Sequence, residues 1–364
     1  FGSSLLPKHE VSGSVVAVVA PAMLSGIFGG GEGDDNQDVE QQSGVSRLCN
    51  SVIGAVCVAP VLMIISMAVL GWNERRAVCE AKAIISGKEA VTTVGCNSAL
   101  EASGKLVLFS CDVDSGSLPL LSPPFGSDFS SMSIRTTGIT VNSMMYQCKE
   151  TLQSTSKKNA VGGGKTTVTT YTYSKDWMSS AVSSAGFRKK DSDNFRQNCN
   201  TENPAWPSQV PTSGSTYADT AKVGPFTIGK NLVQDIPLTI PISAPSTPSG
   251  WSTQGNKYVS SNWATGTGSP RIGDVEVEFR GFDSSKPTMS VLGLNSNGQM
   301  EKWTAPDSWL CSGFSLQSLK VGAVSKDDFF KQLQAASTGM TWLLRILGFA
   351  LFWFAFCLVA GPCE

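Results

Sequence analysis

The sequence predicts an α+β protein in which a strand-rich extramembrane domain is held between two transmembrane α-helices. Two apolar runs of about 20 residues, the first uncharged and the second with a single Arg near its start, lie towards the ends of the chain, the length needed to cross about 30 Å of hydrocarbon. A long body rich in Ser, Thr and Gly separates them. Within that body the local signals are β-branched, aromatic or strictly alternating.

The first run is Ser51 to Gly71, with Pro60 inside it. A proline kink is tolerated in lipid when neighbours satisfy the freed carbonyl. Trp72 suits the interface, and Asn73-Glu74-Arg75-Arg76 marks where the chain leaves lipid. The second run is Thr341 to Gly361. Arg345 lies one turn inside it, placed to snorkel to the headgroups. Trp342 and the ridge Phe352, Phe354 and Phe356 suit lipid or a partner helix. A helix is expected to start at an N-cap, Ser325, with Asp327 and Asp328 in its first turn, and to run into the second span with Gly339 as a joint. The apolar stretch Ser14 to Gly29 is too short to cross and reads as a surface or interfacial segment. Gly29 to Ser46, with five carboxylates, reads as a flexible acidic linker. The plan is an N-terminal arm over 1–48, a first span over 49–76, a β-rich domain over 77–325, and a helix leading into a second span over 326–364.

Inside the domain, strands are expected over Lys105 to Cys111, over Met132 to Cys148 with a break at Gly138, and over Thr166 to Tyr173. In Asp274 to Phe279 the apolar Val275, Val277 and Phe279 alternate with Glu276 and Glu278, as in a half-buried antiparallel strand. Thr288 to Leu294 is expected to pair with it across the turn Asp283 to Pro287. Pro204 to Pro270 is punctuated by prolines that forbid a helix around Pro237 to Pro248. It reads as loops and an edge draped over the sheet.

Composition narrows function. With 28 basic and 29 acidic residues there is no global pull towards nucleic acid, and a 16% charged fraction argues against a self-repelling disordered chain. His9 is the single histidine, which nearly excludes a histidine base, a histidine-rich metal site or a haem ligand. Gly162-Gly163-Gly164-Lys165-Thr166 looks like the end of a phosphate loop. However, Asn159 stands where that pattern needs Gly, and a strand follows where a helix is required, so a hairpin turn is the better reading. The carboxylate pairs Asp112/Asp114, Glu276/Glu278 and Asp327/Asp328 have no histidine to work with and read as solvated surface.

Six of the ten cysteines lie in the domain: Cys79, Cys96, Cys111, Cys148, Cys199 and Cys311. None forms a Cys-x-x-Cys pair, so zinc and dithiol redox chemistry are not expected. Three disulfides, if the domain faces an oxidising lumen, and buried free thiols are both open. Cys49 and Cys363 are membrane-edge cysteines with the option of a fatty acyl chain.

A resemblance runs along the chain in order. Trp72-Asn73-Glu74-Arg75-Arg76-Ala77-Val78 after the first span resembles the LUMA-type transmembrane proteins, whose first span ends in a similar Asn-Glu-x-Arg-Ala. Gly104-Lys105-Leu106-Val107, Met145-Tyr146-Gln147-Cys148-Lys149-Glu150 and Tyr171-Thr172-Tyr173-Ser174-Lys175-Asp176-Trp177 are similar to that family's later motifs. So are Gly224-Pro225-Phe226-x-Ile228-Gly229, Ile272-Gly273-Asp274-Val275 and the Thr338 to Gly348 entry to the second span. The resemblance implies an integral membrane protein of the endoplasmic reticulum and nuclear envelope. It implies no known catalytic activity, no cofactor, self-association, and scaffolding of other membrane proteins.

The family places the large domain in the lumen. Basic residues around the first span point the other way: Arg47 on the N side, against Arg75, Arg76, Lys82 and Lys88 on the C side. None of the fifteen asparagines heads an Asn-x-Ser/Thr sequon. The alternative is an accessory structural subunit of a respiratory or photosynthetic complex in a mitochondrial inner or thylakoid membrane. In either case the expected partners are the lipid bilayer, other integral membrane proteins and a second copy of the chain, with no nucleic acid. The expected contact residues are Trp72, Asn73, Glu74, Arg75 and Arg76, with Trp342, Arg345, Phe352, Phe354 and Phe356.

Overall fold

Two long helices carry the apolar runs. A π-helical turn, Gly54–Val58, leads into α1, Ala59–Ala90. Pro60 falls in the first turn of α1, where its missing N–H breaks no helical bond, so it starts the α-helix instead of kinking a span. α1 continues about four turns beyond Arg76. Two short helices, α2 (Asp193–Asn198) and α3 (Lys230–Val233), belong to the domain, and α4 is Lys326–Ala360. Ser325 caps α4: its hydroxyl accepts from the Asp328 N–H at 3.2 Å and donates to the Asp328 carboxylate at 2.7 Å. Gly339 is no joint, because α4 is continuous through it.

This computed structural model describes residues 35–42, 54–97, 102–122, 128–129, 132–158, 164–243, 247–260, 269–308 and 310–360. The Ser14 to Gly29 segment, His9, Cys49 and Cys363 lie outside them.

The strands in chain order are β1 Gln37–Gln42, β2 Thr92–Thr93, β3 Leu106–Asp112, β4 Leu120–Leu121, β5 Ile134–Arg135, β6 Gly138–Lys158, β7 Lys165–Met178, β8 Gly214–Tyr217, β9 Thr220–Val223 and β10 Phe226–Gly229. They continue with β11 Leu238–Pro241, β12 Trp251–Gln254, β13 Lys257–Ser260, β14 Val275–Phe282, β15 Thr288–Ser296, β16 Gln299–Glu301, β17 Trp303–Thr304, β18 Ser315–Leu316 and β19 Ser318–Val321. One sheet runs β1-β7-β6-β14-β13-β12, with β8 added on β6 and β11 on β14. A second runs β2-β3-β15-β16-β10-β9, with β19 added on β15.

The break at Gly138 is where β6 begins, and β6 and β7 form one long hairpin from Met145–Met178 out to Lys158–Lys165. The hairpin reading of the glycine cluster therefore holds, although residues 159–163 lie outside the described set. β14 and β15 do not pair with each other. The turn exists, with the Asp283 carboxylate accepting from the Ser285 N–H at 3.0 Å, but it passes the chain from one sheet to the other. β14 is already flanked by β6 on one side and by β13 and β11 on the other, and β15 by β3 and β19.

Two further readings are corrected. Residues 37–42 of the acidic segment are not a free linker but an edge strand on β7, tied by Asp38 to Lys189 at 2.7 Å. That ammonium holds the Asp38 carboxyl below its usual range. Part of the proline-rich stretch is core, not drape: Phe226, Ile228, Leu232, Val233 and Ile236 are fully buried against Phe109 and Val291.

Burial of β3 on both faces explains how the helices attach. Val107 and Phe109 point into the inter-strand core, whereas Leu106 and Leu108 pack with Leu292 and Leu316 against Ala83 and Ile84 of α1 and Phe329, Phe330 and Leu333 of α4. At Gly87 a Cβ would run into Leu316 Cδ1, so a larger residue there would force that side chain to shift where α1 sits this close. The six domain cysteines form three disulfides, Cys79–Cys311, Cys96–Cys111 and Cys148–Cys199. Glu276 is not solvated surface. It is 4% exposed and accepts from Lys257 at 2.7 Å.

Candidate functional site

The site is the contact between α1 and α4. On α1 the residues Ala59, Ser66, Asn73, Glu80 and Gly87 recur every seven positions, and all are buried. On α4, Thr341, Gly348 and Ala355 do the same. A strict seven-residue repeat keeps one seam facing a partner helix. Here the seam is small and polar, as suits a helix pair in lipid, where close backbone approach and hydrogen bonds replace the hydrophobic drive.

The seam runs antiparallel and in register. Ser66 Oγ donates to the Gly348 carbonyl at 2.6 Å, and Asn73 Nδ2 to the Thr341 carbonyl at 3.0 Å. Glu80 sits at the centre of the next layer. It accepts from Arg76 Nη1 at 2.6 Å and from Ser337 Oγ at 2.7 Å. Arg76 Nη2 donates to Asn73 Oδ1 and to Thr341 Oγ1, each at 3.3 Å. Arg76 and Glu80 are 6% and 8% exposed, so this is a buried ion pair, and Arg76 Nε is left without an acceptor.

At Gly348 an added Cβ would lie 2.6 Å from Leu70 Cδ2. Gly348→Ala should therefore push the helices apart and cost about 1–3 kcal/mol. Thermal unfolding of the detergent-solubilised chain should show the loss, and Leu70→Ala in the same chain should recover part of it. An unchanged midpoint in the single variant would mean that the seam is looser than this.

The sequence-predicted contact residues divide. Asn73 and Arg76 belong to the seam. Glu74 and Arg345 meet across the two helices with paired 2.7 Å bonds, and the Arg345 guanidinium lies 5.0 Å from the centre of the Trp342 ring. Arg345 is thus held by a cross-helix partner. Arg75 Nε donates to the Leu310 carbonyl at 3.2 Å, beside the Cys79–Cys311 disulfide. Trp72 and Trp342 are 55% and 56% exposed and stand at the same level of the pair. Phe352, Phe354 and Phe356 stay outside the seam and are exposed. Glu80, Ser337, Thr341, Ser66 and Gly348 were not expected as site residues. The signal for all but Ser337, which lies one turn before Thr341, is the seven-residue repeat.

Only 17% of the apolar window in α1 and 11% of that in α4 is buried, which separates them from the core helices of a soluble protein. From the tryptophan level to Gly54, and to Ala360, is about 27 Å at 1.5 Å per residue, close to a hydrocarbon core. The continuation of each helix beyond that level forms a stalk docked on the second sheet. Among the described residues no group of three or more His, Cys, Asp or Glu side chains is placed to hold a metal.

Residues 145–364 match the family model described as Transmembrane protein 43, the LUMA family. The chain belongs to this family. It is a membrane protein, and the family is not a known enzyme family. No curated protein and no solved structure matches the chain.

Several family-like motifs lie in the matched stretch, and the structure gives them structural work. Gln147 is buried and bonds Ser180 and Val182. Glu150 accepts from the Tyr173 hydroxyl at 2.7 Å and from the Arg188 N–H at 2.7 Å. Burial first, and then Glu150, pushes the Tyr173 phenol above its ordinary pKa, so it stays a protonated donor. Tyr173 packs with Tyr171 and Phe195 around the Cys148–Cys199 disulfide. The Thr338 to Gly348 motif carries Thr341 and Gly348, two seam residues of α4.

Proposed function

We propose that this protein is a non-catalytic scaffold of the endoplasmic reticulum and nuclear envelope, assembling with itself or with other membrane proteins through its helix pair. The observation that carries this is the surplus of apolar helix surface. Phe352 and Phe356 lie on one side of α4 and Phe354 on the other, so α1 covers only a fraction of what α4 presents. The rest faces lipid or further helices. Three disulfides favour an oxidising lumen for the large domain.

Gentle solubilisation of native membranes, native gels and mass spectrometry of every band holding the chain test the proposal. Co-migration with itself and with envelope proteins is expected. Migration as a lone monomer, or with respiratory or photosynthetic subunits, overturns it.

A further inference from the structure

Beside the seam, α1 and α4 leave a groove of about 200 Å³, lined among others by Ala77, Ala81, Gln334, Thr338, Trp342 and Arg345. We propose that this groove binds the headgroup of one zwitterionic glycerophospholipid from the domain-side leaflet, with its phosphate against Arg345 and its ammonium against Glu74. The inference rests on the membrane reading above.

Depth comes first. The groove opens at the level of Trp72 and Trp342, where headgroups lie, and it extends from there towards the domain. Charge comes second. Glu74 and Arg345 form an ion pair whose side chains are still 50% and 31% exposed, so both remain open to a ligand. A phosphocholine or phosphoethanolamine group carries one charge of each sign. Laid antiparallel along this pair, it puts opposite charges together at both ends, and the Trp342 indole, 5.0 Å from the Arg345 guanidinium, holds that cation in place for the phosphate. An anionic headgroup matches Arg345 alone and faces Glu74 with like charge.

Shape and polarity agree. Ala77 and Ala81 clear the floor of the groove. Gln334 and Thr338 are exposed at its edge, and their side chains hydrogen-bond nothing among the described residues, leaving donors for phosphate or ester oxygens. Below the groove, Trp342, Ile346, Phe349, Trp353 and Phe356 form one continuous exposed stripe along α4, a track for the acyl chains.

The full chain, purified in mild detergent, is exchanged against phosphatidylcholine or phosphatidylglycerol, and the retained lipid is counted by native mass spectrometry. One phosphatidylcholine per chain is expected, with at least tenfold less phosphatidylglycerol. Ala81→Leu, which fills the groove and leaves the ion pair alone, should abolish retention. So should Glu74→Gln combined with Arg345→Gln, with disulfide content unchanged in both. Equal retention of the two lipids overturns the proposal, as does wild-type retention by Ala81→Leu. A second copy of the chain bound in place of lipid, and released by Ala81→Leu, assigns the groove to a partner helix and overturns it too. Release of the chain from native membranes by alkaline carbonate would instead overturn the membrane reading. Carbonate resistance without retained lipid overturns the headgroup site alone.

Discussion

Replacing Glu80 by alanine should destabilise the helix pair by about 3–5 kcal/mol, because it leaves Arg76 as an uncompensated buried cation. Arg76 keeps only the two 3.3 Å contacts to Asn73 and Thr341, and Ser337 loses its acceptor. Glu80→Gln should fall between alanine and wild type, since an amide oxygen still accepts from both donors but without charge. The informative variant is the double replacement Arg76→Met with Glu80→Met. Desolvating two charges nearly offsets their attraction, so an apolar pair of similar volume should cost far less than the single alanine. Chemical or thermal unfolding of the detergent-solubilised chain measures all three. A double variant as damaged as Glu80→Ala would show that the ion pair itself, not the stranded charge, sets the energy.

The position of this pair explains why such a costly arrangement is tolerable. It lies about one to two turns beyond Trp72, above the hydrocarbon, where headgroups and water soften the desolvation of ions. Within the hydrocarbon the seam switches to Ser66, Gly348, Ala59 and Ala355, which carry no charge. Polarity along the seam thus follows the depth profile of the bilayer, and a polar seam fixes register in a way that a uniformly apolar contact does not.

Much of this was legible in the chain, and the failures have a common cause. Both apolar runs and β3, β7, β14 and β15 announce themselves through length, β-branching or alternation. Those signals are local. They give no account of which strand pairs with which, so β14 and β15 look like a hairpin although each has both edges occupied by distant strands. β9, β10 and α3 sit in a stretch whose prolines suggest loops, yet the prolines fall between the short elements and leave Phe226 and Ile228 free to enter the core. β1 is polar apart from Val39 and becomes a strand only because the edge of β7 is open to it. The seam was legible but hidden by the wrong period. A span read for total hydropathy looks featureless, whereas the same residues read every seventh position give Ala59, Ser66, Asn73, Glu80 and Gly87. The disulfides were left open because pairing depends on the spatial neighbours of each cysteine.

Removing the Cys79–Cys311 bridge should be the most damaging of the three disulfide losses. The chain-entropy model gives about 5 kcal/mol for its very long loop, against about 3 kcal/mol for the short Cys96–Cys111 loop. These bridges span 232 and 15 residues. The location adds to the length. Cys79 lies one position before Glu80, and Cys311 follows Leu310, whose carbonyl accepts from Arg75. The bridge therefore clamps the 305–314 segment, and through Leu316 the second sheet, against the stalk. Cys79→Ala with Cys311→Ala should lower the unfolding midpoint more than Cys96→Ala with Cys111→Ala. It should also raise amide exchange in 305–314 and at the domain end of α1, while leaving the hydrocarbon half of the pair protected. If the short-loop variant proves the more damaging, the unfolded reference state is not a free chain. Two helices retained in the bilayer would already hold the ends of the long loop together, and its entropic contribution would then be small because the membrane has closed the loop before the disulfide does.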